Sequence, residues 1–204
     1  MIAPAGSQHP AGLFMRGNFA SMSFEAVIFD ADGTLLDTLE DLADSMNGAL
    51  RELGFPVHET PAYRYFVGGG MQNLVRRALP ETARNDETLV ARGLAAMRDI
   101  YGRNWDRKTK PYDGVPDLLD DLSGRNVKMA VLSNKLHDST LLVIERYFSK
   151  WKFEVVFGER PGVPVKPDPA GAIEIATIFG LAPQKILFLG DTGIDMRTAF
   201  AAGR

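Results

Sequence analysis

Four short apolar runs punctuate the chain: Ala26–Asp30 (AVIFD), Lys128–Ser133 (KMAVLS), Phe153–Gly158 (FEVVFG) and Lys185–Asp191 (KILFLGD). They are rich in β-branched and aromatic residues and too continuous for one solvated face, which is the pattern of parallel strands covered on both sides. Helical periodicity surrounds them, over Val115–Leu122, Ser139–Phe148 and Pro169–Phe179. The alternation predicts an α/β fold with a doubly wound, Rossmann-like parallel sheet. Residues 31–127 separate the first two strands, far more than one crossover helix needs. Within them, from about Leu39 to Tyr112, Leu39–Leu53 and Thr88–Trp105 read as amphipathic helices and no segment reads as a strand. The predicted organisation is a core from residues 24–38 and 113–204 with a helical cap domain inserted at 39–112. Residues 1–23, rich in Gly, Ala, Ser and Pro, read as a flexible tail or an appended leader.

Composition narrows the chemistry. A net charge of −3 without a dense Lys/Arg tract gives no reason to expect nucleic acid as a partner. No run approaches the roughly 20 apolar residues that span a bilayer, so no membrane association is expected. The N-terminal stretch fits a secretory signal poorly, leaving the cytoplasm as the default compartment. Cysteine is absent, which removes disulfides, thiolate metal sites and a cysteine nucleophile. In the cap, eleven Lys/Arg stand against ten Asp/Glu, so placed groups matter more there than the overall field.

Three of the four strands stop at a polar residue, and in open α/β sheets ligands bind beyond the strands' carboxyl ends. Asp30, Ser133 and Asp191 are therefore directed to one crevice. Asp30-Ala31-Asp32-Gly33-Thr34 sets two carboxylates two residues apart before a glycine that permits a sharp turn. Burying two acids together calls for compensation, which a hard cation such as Mg²⁺ supplies; a turn with two solvated acids fits the pair as well. Asp191 would complete a three-carboxylate cradle with Asp30 and Asp32. Asp195 suits either outer support of a metal or plain helix capping. Lys166, stiffened by Pro167 and Pro169, is either a placed charge that neutralises phosphate and carboxylate or a surface lysine. Ser133 and Asn134 can offer a hydroxyl and a backbone N–H to phosphate oxygens.

Taken together, FDADGTLLDT, VLSNK, VKPDP and GDTGIDM resemble, in order, the four motifs of the haloacid dehalogenase superfamily, and the resemblance covers about Phe24 to Gly203. It implies that Asp30 attacks phosphorus to form an aspartyl phosphate. Asp32 would protonate the leaving oxygen and then activate water. Mg²⁺ would be held by the Asp30 and Asp191 carboxylates and the Asp32 backbone carbonyl, with Lys166 and Ser133 stabilising the transferring group. The acid at position 32 sets the chain apart from dehalogenases and phosphonate-cleaving relatives. Ala31 departs from the larger apolar residue usual there.

The cap segments FVGGG, LVRRAL and TKPYDGV look like the phosphoglycolate phosphatase branch. The resemblance implies a small-molecule phosphomonoester substrate, with 2-phosphoglycolate first. Gly68, Gly69 and Gly70 are candidates for close approach to it, and Arg76, Arg77 or Lys135 for pairing with its carboxylate. A phosphomutase, or a non-catalytic binding protein on the same core, are the alternatives. Relatives of that branch continue past a segment like Ala199–Gly203 into another short strand. With the last residue at Arg204, the expectation is either a longer natural protein or an exposed apolar edge at Lys185–Leu189.

Overall fold

The computed structural model describes residues 24–203; the tail expected over 1–23 lies outside the described residues. Four parallel strands form the central sheet, in the order β5 (Val155–Glu159), β4 (Lys128–Leu136), β1 (Ala26–Phe29) and β6 (Ile186–Leu189). β1 pairs on one side with β4, Ala26 opposite Lys128, and on the other with β6, Ala26 opposite Ile186. Among the described residues β6 is an edge strand.

Successive side chains of β1 serve opposite faces of the sheet, as the pleat requires. Val27 and Phe29 join Met129 and Val131 under helices α4 (Val115–Gly124) and α5 (His137–Phe148), which contribute Leu119, Val143, Ile144 and Phe148. Ala26 and Ile28 join Ala130, Leu132, Ile186 and Phe188 under α6 (Ala170–Phe179), with Ala199 of α7 (Gly193–Ala201) beside them. Both faces are covered, which explains why the strands carry continuous apolar runs.

The inserted cap has its own core. Its helices are α1 (Leu39–Leu53), α2 (Met71–Ala78) and α3 (Glu87–Asn104), with a 3₁₀ turn at Thr60–Tyr65 between the first two. Leu42, Ala43, Met46, Ala49 and Leu50 recur at helical spacing on α1 and pack with Tyr63, Leu74, Val75, Val90 and Met97. Gly54, in the left-handed region at φ 77°, terminates α1.

Three expectations are corrected. Segments on either side of the cap do form strands: β2 (Leu36–Asp37) and β3 (Lys110–Pro111) pair antiparallel, a ribbon of two residues a side that is too short for periodicity to reveal. β4 runs on to Leu136, with a register break between Leu132 and Leu136, so Ser133, Asn134 and Lys135 belong to an irregular strand end. β6 stops at Leu189, and Asp191 lies beyond it in the turn to α7. Asp41 anchors the ribbon to the cap: buried on α1, it accepts from the backbone N–H groups of Lys108 and Thr109 and from the Thr109 hydroxyl, at 2.8–3.1 Å.

Candidate active site

Asp30 follows β1 directly, its backbone N–H donating to the Leu189 carbonyl of β6 at 2.9 Å. The turn after it is closed by the Leu35 and Leu36 N–H groups on the Ala31 carbonyl. Ala31 is fully buried, packed in the core cluster that holds Phe29 and Leu35. Gly33 sits at φ 84°, and a Cβ there would clash with the Asp191 carboxylate, so the glycine permits both the turn and the approach of that acid.

Lys166 is 4% exposed, and its Nζ lies 2.9 Å from Asp30 Oδ1 and 2.7 Å from Asp195 Oδ1. It is a placed charge, not a surface lysine. Asn134 sets it: its amide donates to the Lys166 carbonyl and accepts from the Lys166 N–H, both at 2.9 Å. Burial works against the Lys166 charge, but Asp30 and Asp195 outweigh it and hold the ammonium above its usual range. Asp195 caps a helix and also meets Lys166. With Thr192 it makes a capping box at the start of α7, its Oδ2 accepting from the Thr192 N–H and hydroxyl, while Oδ1 takes Lys166.

The Asp30 carboxyl is raised to about 6 in balance: burial raises it most, Lys166 opposes, and Asp195 and Asp32 add to the rise. Burial likewise raises Asp191. Oxygens of Asp30, Asp191 and Asp195 all lie within 4.8 Å of one another. One ammonium faces three acids, and the resulting excess of carboxylate suits a hard divalent cation. Both Asp195 oxygens are already engaged, so Asp30 and Asp191 are the side chains that can ligate directly. The Asp32 carboxylate is turned elsewhere, onto Lys135 Nζ at 3.0 and 3.1 Å.

A pH dependence follows for the cation-free chain. A carboxyl with a folded value near 6, against an ordinary 3.8, makes the folded state hold its proton more tightly than the unfolded state does. Its contribution to stability is therefore lost as pH rises from about 4 to 6. Asp30→Asn, which resembles the protonated acid, should match wild type near pH 4 in chelator. Above about pH 6.5 it should be more stable by roughly 3 kcal/mol. Urea unfolding of both proteins across this range checks the divergence.

These groups open onto a cavity of about 450 Å³ between core and cap, lined by Asp30, Asp32, Ser133, Asn134, Lys135 and Asp191 among others. Gly68 and Gly70 line it, at φ 98° and 83°, and a Cβ on Gly70 would come to 3.3 Å from the Asn134 carbonyl. The Gly68 carbonyl accepts from the Asn134 amide at 3.1 Å, so the glycine run touches the core directly. Gly69 lies outside the lining, a Cβ there facing Asn73 instead.

Arg76 and Arg77 also lie outside it. Arg76 pairs with Glu87 at 2.9 Å, and Arg77 donates to the Tyr65 carbonyl. Lys135 lines the cavity but is 8% exposed and committed to Asp32. Sequence reasoning missed Arg64, an exposed cation of the 3₁₀ turn that lines the cavity with no carboxylate partner among the described residues. It also missed Tyr112, beside β3 in the same lining. The one signal for Arg64 was its position four residues before the glycine run.

The sequence matches the haloacid dehalogenase-like hydrolase family over residues 27–204. The chain belongs to this family. Among haloacid dehalogenase-like relatives, the phosphoglycolate phosphatase of Pseudomonas putida is 37% identical over 180 residues, covering 87% of this chain and 66% of the relative. The phosphoglycolate phosphatase of Thiobacillus denitrificans is 31% identical, covering 89% of this chain and 81% of the relative. The chain thus spans just under two thirds of the first relative's length. A solved structure of a candidate phosphoglycolate phosphatase from Lactobacillus delbrueckii subsp. bulgaricus superposes with a TM-score of 0.83 at 30% identity, covering 89% of this chain and 84% of that one. Among the described residues, no helix is long and apolar enough to cross a membrane.

Proposed function

We propose that the chain hydrolyses a small phosphate monoester with the help of Mg²⁺, and that 2-phosphoglycolate is its substrate. The observation that carries this is a carboxylate, Asp30, that lines the cavity beside Asp32 and is paired from behind with a buried ammonium, Lys166. An Asp30 oxygen attacks phosphorus as the bond to the ester oxygen breaks, and Asp32 gives that oxygen its proton. Water then attacks the aspartyl phosphate, Asp32 takes its proton, and the Asp30–phosphorus link breaks to free inorganic phosphate. Lys166 balances charge on the transferring oxygens, and the Ser133 hydroxyl is placed to donate to them. Asp30, Asp191 and the Asp32 carbonyl would hold the cation. When bound, it neutralises phosphoryl charge.

The substrate class follows from what remains on the cavity wall. Asp30, Asp32, Asp37 and Asp191 are all acidic, and of the two cations lining the cavity Lys135 is engaged, which leaves Arg64 for a carboxylate on the non-transferring end. With Mg²⁺, the chain should release inorganic phosphate from 2-phosphoglycolate, with no phosphoryl group passed to a sugar. Arg64→Ala should raise KM for 2-phosphoglycolate at least about tenfold while changing turnover of an aryl phosphate with no charge on its aryl group less than about twofold. Equal losses on both esters would remove Arg64 from substrate recognition. Failure to release phosphate from any small monoester would remove the hydrolase reading itself.

A further inference from the structure

Lys135 has no part in the reaction just described, yet it is one of the most confined cations in the protein. It is 8% exposed, and its ammonium donates to both Asp32 oxygens, at 3.0 and 3.1 Å, and to the Tyr101 hydroxyl, at 2.8 Å. Tyr101 is 3% exposed and belongs to α3 of the cap, with its ring 4.8 Å from the same nitrogen. Asp32 belongs to the core turn after β1, and Lys135 to the irregular end of β4.

A cap side chain is therefore joined to the proton-transferring carboxylate through one buried lysine. No other hydrogen bond to the Asp32 side chain occurs among the described residues, so its orientation depends on Lys135. Lys135 is in turn fixed from the cap side. A flexible four-carbon stem aims poorly alone, and the tyrosine hydroxyl and ring supply the second point that defines where the ammonium sits.

We propose that Lys135 and Tyr101 are positioning residues that make the aim of Asp32 depend on the docking of the cap. With the cap in place, Tyr101 seats Lys135, and Lys135 holds the Asp32 carboxylate toward the leaving oxygen. With the cap displaced, the lysine loses its second anchor and Asp32 is no longer aimed. Proton transfer is thereby confined to the docked state, in which water access is restricted. This inference rests on the hydrolase reading and assigns no contact with substrate to either residue.

The test separates the chemical steps by leaving group. A poor alkoxide leaving group needs the Asp32 proton, whereas nitrophenolate leaves without it. Lys135→Met and Tyr101→Phe are compared with wild type by rapid-quench measurement of alcohol or phenol release in the first turnover, at saturating ester and Mg²⁺. Lys135→Met should slow release from the alkyl ester by about 100-fold, and from the nitrophenyl ester by less than about 3-fold. Tyr101→Phe, a milder change, should slow the alkyl ester about 5- to 10-fold with the same selectivity. Added to Lys135→Met, it should have no further effect, because both act through one carboxylate.

Equal slowing of both esters, or multiplication of the two effects in the double variant, would overturn the proposal. If Lys135→Met does not fold, Tyr101→Phe decides alone, and an unchanged alkyl-ester rate there overturns it. A wild-type chain that cleaves neither ester removes the hydrolase reading, an outcome distinct from an active wild type with unselective variants.

Discussion

Asp30→Asn should lower steady-state phosphate release by more than about a thousandfold while the fold persists. The amide keeps the shape of the side chain and can still meet Lys166, but it is no nucleophile and a poor ligand for a hard cation. The substitution separates chemistry from folding unusually well here. Because the buried wild-type carboxyl has a folded value of about 6 and is therefore ionised at neutral pH, the variant should lose activity and gain stability there. Residual turnover within tenfold of wild type, with contamination excluded by active-site titration, would assign the nucleophile elsewhere. A variant that loses activity by unfolding would instead show the loss in its far-ultraviolet dichroism.

Lys166→Met should act in the opposite direction on stability. The methionine fills much of the same volume but leaves Asp30 and Asp195 close together, 6% and 0% exposed, with no ammonium between them. Breaking a buried ion pair in this way costs roughly 3–5 kcal/mol. Near neutral pH in chelator, the unfolding midpoint should fall by about 10 °C or more. The deficit should shrink as pH falls, because the stranded acids can then take up protons. It should also shrink with Mg²⁺, which restores positive charge nearby. Calorimetry at two pH values, with and without the cation, reads all of these. A variant as stable as wild type would mean that Asp30 and Asp195 find their compensation in another group.

The parts of this site that could be read in the sequence share a property: each sits where the chain makes a local, patterned transition. Asp30, Asp191 and the VKPDP lysine follow apolar strands or flank prolines, so their placement is encoded within a few residues. Lys135 and Tyr101 show the other case. They are 34 positions apart, and Tyr101 reads as one more apolar residue on the buried stripe of α3 until tertiary packing brings its hydroxyl to the lysine. Arg64 was hidden for a related reason, since a 3₁₀ turn has no amphipathic period against which an outward cation stands out. For Asp41, only the return of the chain at Lys108 and Thr109 shows why an acid is buried on α1.

The β2–β3 ribbon has a consequence for how such a molecule could arise. Leu36 is opposite Pro111 and Asp37 opposite Lys110, so the outgoing and incoming strands of the insertion are a single hydrogen-bonding width apart. From the standpoint of the sheet, more than seventy residues of cap occupy the place of a tight hairpin, and the entropy of closing that loop is borne by an insertion that folds around its own core. Asp30 and Asp191 are held by core elements on either side of this ribbon, so an insertion of another size could hang from it without moving those two acids, whereas Asp32 would need a new partner for Lys135.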